Sequence, residues 1–175
     1  MPSAVTTVLL MGALMVASAI AQSYTDEELT TMCANIVLEP CRLRIPGAYH
    51  LNRNTCVKIS TTEKDFEGAR AECKSWRFRG QFVVVKNDEE QKKLLCMMKQ
   101  ASPQRIHYWL GVRRDGNRFF WTDASGEVTY AVWAEGQPNN ANGQEGCVWI
   151  NSDTWGLWDD VRCTETAGVA CQVRV

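Results

Sequence analysis

The stretch Trp133-Ala134-Glu135-Gly136-Gln137-Pro138-Asn139-Asn140-Ala141-Asn142-Gly143-Gln144-Glu145-Gly146-Cys147 decides how this chain is read, together with Leu157-Trp158-Asp159-Asp160 shortly after it. The two segments gather amide and carboxylate oxygens next to a proline. They hold no histidine, and their one cysteine stands at the end. A hard cation takes six to eight oxygen ligands from carboxylates, amide carbonyls and water, which is calcium chemistry. Zinc prefers a histidine and cysteine set that these loops lack.

Working outward, Cys147 is one of eight cysteines: Cys33, Cys41, Cys56, Cys73, Cys96, Cys147, Cys163 and Cys171. All follow Met1–Ala21, a stretch without a charged residue whose apolar run covers Val5–Ile20 and ends in Ala19-Ile20-Ala21. Small residues at both ends of that triplet suit signal peptidase, so residues 1–21 are expected to be a cleaved signal, although the usual basic start is missing. The run is short for a spanning helix and has no basic flank, so no stable membrane insertion is expected. An even cysteine count in a secreted, extracellular chain reads as a disulfide framework whose pairing stays open. Residues 22–175 suffice for one domain with its own core. The net charge of −1 gives no reason to expect nucleic acid as a partner. No N-x-S/T sequon is present.

Residues 22–40 form a lead-in. Thr25 and Glu28 have capping-box spacing, and Leu29, Met32, Cys33 and Ile36 recur at helical intervals. A short helix packed on the domain is expected, with a neck that pairs two chains as the alternative. The domain proper is placed at 41–175. Residues 41–60 read as a hairpin turning at Asn52-Arg53-Asn54, and 62–76 as a helix with Phe66, Ala69, Cys73 and Trp76 on one face. Residues 80–85 read as a short buried strand. Asn87 to Glu90 is a capping box opening a helix to about Lys99, with Leu94, Leu95 and Met98 inward. Tyr108–Val112 and Phe119–Trp121 flank the turn Asp115-Gly116-Asn117; Cys147–Ile150 and Gly168–Val173 read as closing strands. Helices early and antiparallel strands late give an α+β class, two helices packed on antiparallel β-sheets.

These features in this order resemble the C-type lectin domain family, over roughly residues 41–173. Trp109-Leu110-Gly111 is similar to its apolar W-I-G-L strand. Gln137-Pro138-Asn139 is similar to its E-P-N or Q-P-D triplet, Glu145-Gly146-Cys147 to E-D-C, and Trp158-Asp159-Asp160 to W-N-D. The resemblance implies the C-type lectin-like fold and the pairs Cys73–Cys171 and Cys147–Cys163, with Cys41–Cys56 closing the hairpin of the long form. A loop of about 16 residues is worth about 3 kcal/mol in the chain-entropy model. Cys33 and Cys96 remain; an internal pair is the expectation, and a link between chains through Cys33 the alternative.

The resemblance further implies one calcium ion held by Gln137, Asn139, Glu145, Asp159 and Asp160, beside a cis Pro138. Gln137 where the family has Glu removes one negative charge, and Asp159 where it has Asn restores it. E-P-N goes with mannose-type and Q-P-D with galactose-type sugars in the family, so the hybrid triplet leaves the sugar open. Gln137, Asn139, Glu145 and Asp159 are expected to touch the sugar, and Trp155 is a candidate to stack on it, with packing as its plainer role. The family's auxiliary calcium site is not expected, because Asn140 and Gly146 replace acidic residues and the segment Arg113–Gly116 reads as a short basic loop.

The function implied is a secreted, calcium-dependent lectin whose partners are glycans or glycoproteins, acting as a homo-oligomer where avidity is needed. A protein- or mineral-binding module on the same fold is the alternative. An enzyme is not expected. His50 and His107, the only histidines, have no evident nucleophile partner, and adjacent Asp159 and Asp160 would face opposite sides of a strand.

Overall fold

The computed structural model describes residues 23–42, 45–76, 80–102, 104, 106–151, 154 and 156–175. The expected signal at 1–21 and the sugar-stacking candidate Trp155 lie outside the described residues. Helix α1, Asp26–Ala34, opens on the expected capping box: Thr25 accepts from the Glu28 N–H, and Glu28 reaches back to the Thr25 backbone. Leu29 is fully buried, and a Cys33–Cys96 disulfide ties the helix to the domain. The lead-in is therefore a packed helix, and Cys33 is spent internally.

Strands β1 (Ala48–Asn52) and β2 (Thr55–Lys64) form the hairpin, stapled by Cys41–Cys56. β2 runs further than the sequence suggests. Ser60 and Lys64 still pair with the last strand, and helix α2 begins only at Phe66 and ends at Ser75. Asp65 decides the boundary: its extended backbone ends the strand, and its carboxylate accepts from the Gly68 N–H at 2.8 Å. Phe66, Ala69 and Cys73 are buried as expected, whereas Trp76 leaves the helix as its C-cap.

The buried run after Gly80 makes only a two-residue strand, β3 (Gln81–Phe82). Val83 still donates to the Ala170 carbonyl, but Val84 donates to the Gln172 side chain, which takes the place of a ladder bond. Helix α3, Asp88–Ala101, starts at Asn87, whose side chain accepts from Glu90 N–H. The reciprocal half of the expected capping box is not made. The Glu90 carboxylate instead accepts from Lys86 N–H at 2.8 Å and Asn52 Nδ2 at 2.7 Å, joining helix and hairpin.

The remaining strands are β4 (Tyr108–Asp115), β5 (Arg118–Trp121), β6 (Cys147–Ile150), β7 (Trp158–Val161) and β8 (Ala167–Arg174). Sheet order is β1-β2-β8-β4-β6-β7, with β3 on β8 and β5 on β4. Among these strands every pairing is antiparallel except β4 with β8, which runs parallel at Tyr108–Gly168 and Trp109–Val169. Phe66, Phe82 and Trp109 anchor the core under α2; Leu94, Leu95, Leu110 and Trp158 belong to the larger core shared with α1 and α3. Gly111 is where β4 crosses the 80–85 run, since a Cβ there would sit 2.6 Å from Phe82 Cβ. Disulfides Cys73–Cys171 and Cys147–Cys163 complete four bridges in an α+β fold.

Candidate functional site

Between β5 and β6 the chain makes a long excursion whose only regular element among the described residues is a 3-10 turn at Ala141–Gly143. Trp158 holds its root. The indole is fully buried, meets Trp121, Tyr130 and Trp133 edge to face, and donates Nε1–H to Gln91 Oε1 at 3.2 Å. Gln91, buried on α3, also donates to the Gly156 carbonyl at 2.6 Å. Trp158 N–H donates to Val132 O, and Ala134 N–H donates to Trp158 O. The excursion thus leaves beside β7, the strand carrying Asp159 and Asp160.

Gln137 N–H closes a turn on Ala134 O at 2.9 Å, and the Gln137–Pro138 peptide is cis. The chain then folds onto Asp160. Asn139 N–H donates to its Oδ1 at 2.9 Å and Asn140 N–H to its Oδ2 at 3.0 Å. Asn140 adopts a left-handed backbone (φ 49°), a conformation asparagine tolerates. Its side chain accepts from Glu145 N–H at 3.2 Å, and Glu145 Oε2 accepts from Ala141 N–H at 2.6 Å. The five sequence candidates thus share one loop and one strand. Asp160 is fully buried and engaged through both oxygens, while Glu145 keeps one carboxylate oxygen on the loop backbone.

Two site oxygens have no hydrogen-bond partner among the described residues although they are buried: Gln137 Oε1 and Asp159 Oδ1. A buried acceptor left unsatisfied costs about 1–3 kcal/mol. Asp159 is also pushed up to about 6 from 3.8, first by burial, then by the negative charges of Glu145 and Asp160. The Trp149 indole, opposite Asp159 in the β6–β7 register, pulls the other way from outside hydrogen-bond geometry. The Asp159 charge has no cationic partner among the described residues, and a negative charge beside unpartnered oxygens fits a cation. The three carboxylates do not crowd one point. Among the described residues, the one trio of His, Cys, Asp or Glu ligand atoms within 4.8 Å is Cys41, His50 and Cys56. Two of those are spent in a disulfide, so that trio is no metal site.

Sequence reading passed over one member of the site, Arg114. The segment expected to be a short basic loop is the end of β4, and Asp115-Gly116 begins the hairpin turn. Arg113 turns away to Glu67 at 3.2 Å. Arg114 turns in: it pairs with Asp160, donates Nε–H to Glu145 O at 2.9 Å and lies 4.5 Å over the Phe119 ring. Arginine next to arginine on a strand implied opposite faces, but nothing local named Asp160 as the partner.

The family model for the Lectin C-type domain matches residues 62–173. The chain is 29% identical over 140 residues to the C-type isolectin Sp-CL4 of Scorpaena plumieri, covering 79% of this chain and 92% of that one. Among solved structures it is similar to the C-type lectin CEL-I of Cucumaria echinata, with a TM-score of 0.68, 25% identity and coverage of 75% of this chain and 97% of that one. It is also similar to the cow C-type carbohydrate-recognition domain of CD23, solved in the presence of a GlcNAc2Man3 oligosaccharide, with a TM-score of 0.64, 26% identity and coverage of 77% and 98%. The chain belongs to the C-type lectin domain family.

Proposed function

We propose that the protein is a secreted lectin that binds carbohydrate through one calcium ion. The proposed ligands are the amide oxygens of Gln137 and Asn139 and the carboxylates of Glu145 and Asp159, backed by Asp160, whose carboxylate holds the loop N–H groups and Arg114. The observation that carries this reading is the pair of buried, unpartnered oxygens, Gln137 Oε1 and Asp159 Oδ1, beside like charges. Kinship with lectins, among them a domain solved in the presence of an oligosaccharide, supports sugar as the ligand class. Four disulfides suit an extracellular setting, with residues 1–21 removed on secretion and 41–175 as the lectin domain.

Calcium, when bound, supplies a hard centre with open positions for two vicinal sugar hydroxyls. The side chains set orientation. The NH₂ groups of Gln137 and Asn139 donate to those hydroxyls, and Glu145 and Asp159 accept from them. Donors therefore lie on the 137–139 side and acceptors on the other, which is where the choice between mannose-type and galactose-type hydroxyls is made. Single sites of this kind are weak, so several copies would multiply avidity. The test is a glycan screen with and without chelator, using the wild type and Glu145→Gln. Binding lost in both chelator and variant supports the proposal. Binding equal in all three overturns it, and ion binding with no glycan bound favours a protein- or mineral-binding role.

A further inference from the structure

Arg114 reaches both ends of the candidate ligand loop, one directly at Glu145 and the other through Asp160 on β7. Its guanidinium pairs with Asp160, whose carboxylate takes the Asn139 and Asn140 N–H groups, and its Nε–H holds the Glu145 carbonyl. The Glu145 side chain in turn takes the Ala141 N–H. One largely buried cation thus stitches residues 139–145 to the sheet. The guanidinium is itself fixed, being mostly buried and lying over Phe119. A fully buried carboxylate needs a counter-charge, and leaving it unpaired is strongly unfavourable. Arginine suits this position, because its planar fork can serve an acid and a carbonyl together and it does not titrate.

We propose that Arg114 is a positioning residue, a built-in cation that keeps the 139–145 loop folded before any ion arrives. Asp160 then acts chiefly on the loop, and ion binding falls mainly on Gln137, Asn139, Glu145 and Asp159. The ion falls on a loop already ordered, which removes an ordering cost from binding. The second half rests on the calcium reading; the first does not.

The test is residue-resolved amide hydrogen exchange on the intact protein, in chelator and then in calcium. In the wild type, Asn139, Asn140 and Ala141 should be protected in chelator. Arg114→Met should speed their exchange at least tenfold while amides of β4 and β8 stay unchanged, which a general loss of stability would not do. Asp160→Asn should speed the same amides, and Arg114→Lys should fall between, keeping charge but losing the fork. Should Arg114→Met fail to fold, the other two variants carry the comparison. Wild-type amides that are unprotected in chelator and protected only with calcium would overturn the proposal, as would Arg114 and Asp160 variants that leave them unchanged. Protection in chelator that Arg114→Met abolishes, with no response to calcium, keeps the role of Arg114 and removes the calcium reading.

Discussion

Asp159→Asn isolates the energetic tension in the site. The carboxylate is pushed from 3.8 to about 6 by burial and by two like charges. At about 1.36 kcal/mol per pH unit, a fully desolvated group shifted so far would cost the folded, ion-free protein about 3 kcal/mol at neutral pH. Asp159 is only half-buried, and solvent screens it, so about 1 kcal/mol is the realistic figure. Asparagine keeps the shape and removes the charge. In chelator at pH 7.5 the variant should melt higher by about 2–4 °C, the shift that 1 kcal/mol gives a chain of this size. The sign with pH follows. A carboxylate whose folded pKa lies above its unfolded value weakens the fold as pH rises from about 4 to about 6, and the penalty is complete above that. The gain from Asp159→Asn should therefore shrink to nothing as the pH is lowered to 4. Calcium should reverse the ranking at pH 7.5, stabilising the wild type more than the variant. Thermal unfolding across pH, with and without calcium, reads all of this. A variant less stable than the wild type in chelator at pH 7.5 would mean that the Asp159 charge does not burden the ion-free fold.

Other outcomes follow from the packing. Gln91→Ala strips partners from the buried Trp158 indole and Gly156 carbonyl, so it should cost about 2–6 kcal/mol in denaturant unfolding, at about 1–3 per orphaned group; Gln91→Glu keeps the acceptor for Trp158 but sets a buried carboxylate oxygen against the Gly156 carbonyl and should cost at least as much. Gly111→Ala places a methyl 2.6 Å from Phe82 Cβ, and overpacking of about 1–3 kcal/mol should appear in the same assay. Removing the Cys73–Cys171 bridge with paired serines should cost about 2–5 kcal/mol. Because Cys33 pairs with Cys96, non-reducing electrophoresis should show no disulfide-linked dimer.

Local chemistry was legible in the sequence. The Thr25 capping box, the Phe66-Ala69-Cys73 part of the α2 face, the α3 face and the hairpin turns follow from spacing and side-chain type, and the structure reproduces them. Of the β2 extension, only Asp65, an N-cap in plain sight, could have moved the helix start. What could not be read were side chains that choose distant partners. Glu90 left its expected cap for Asn52, Gln172 replaced a ladder bond to Val84, and Arg114 found Asp160 on another strand. Each choice is made by tertiary packing, which brings a buried acid or amide to whichever donor the sheet presents, and no local period encodes it. The five candidates come together because Trp158 bonds through its backbone to Val132 and Ala134 at the root of the loop, and Asp160 takes the Asn139 and Asn140 N–H groups. How far each is engaged by the protein itself became visible only with the hydrogen bonds in place.

The most direct test of the central claim is a calorimetric calcium titration of the chelator-stripped protein, wild type against Glu145→Gln. One ion per wild-type chain is expected, with affinity in the range of about 10⁻⁴ to 10⁻³ M common to extracellular modules, and at least tenfold weaker binding by the variant. No heat and no thermal stabilisation in the wild type, or binding that Glu145→Gln leaves unchanged, would contradict it.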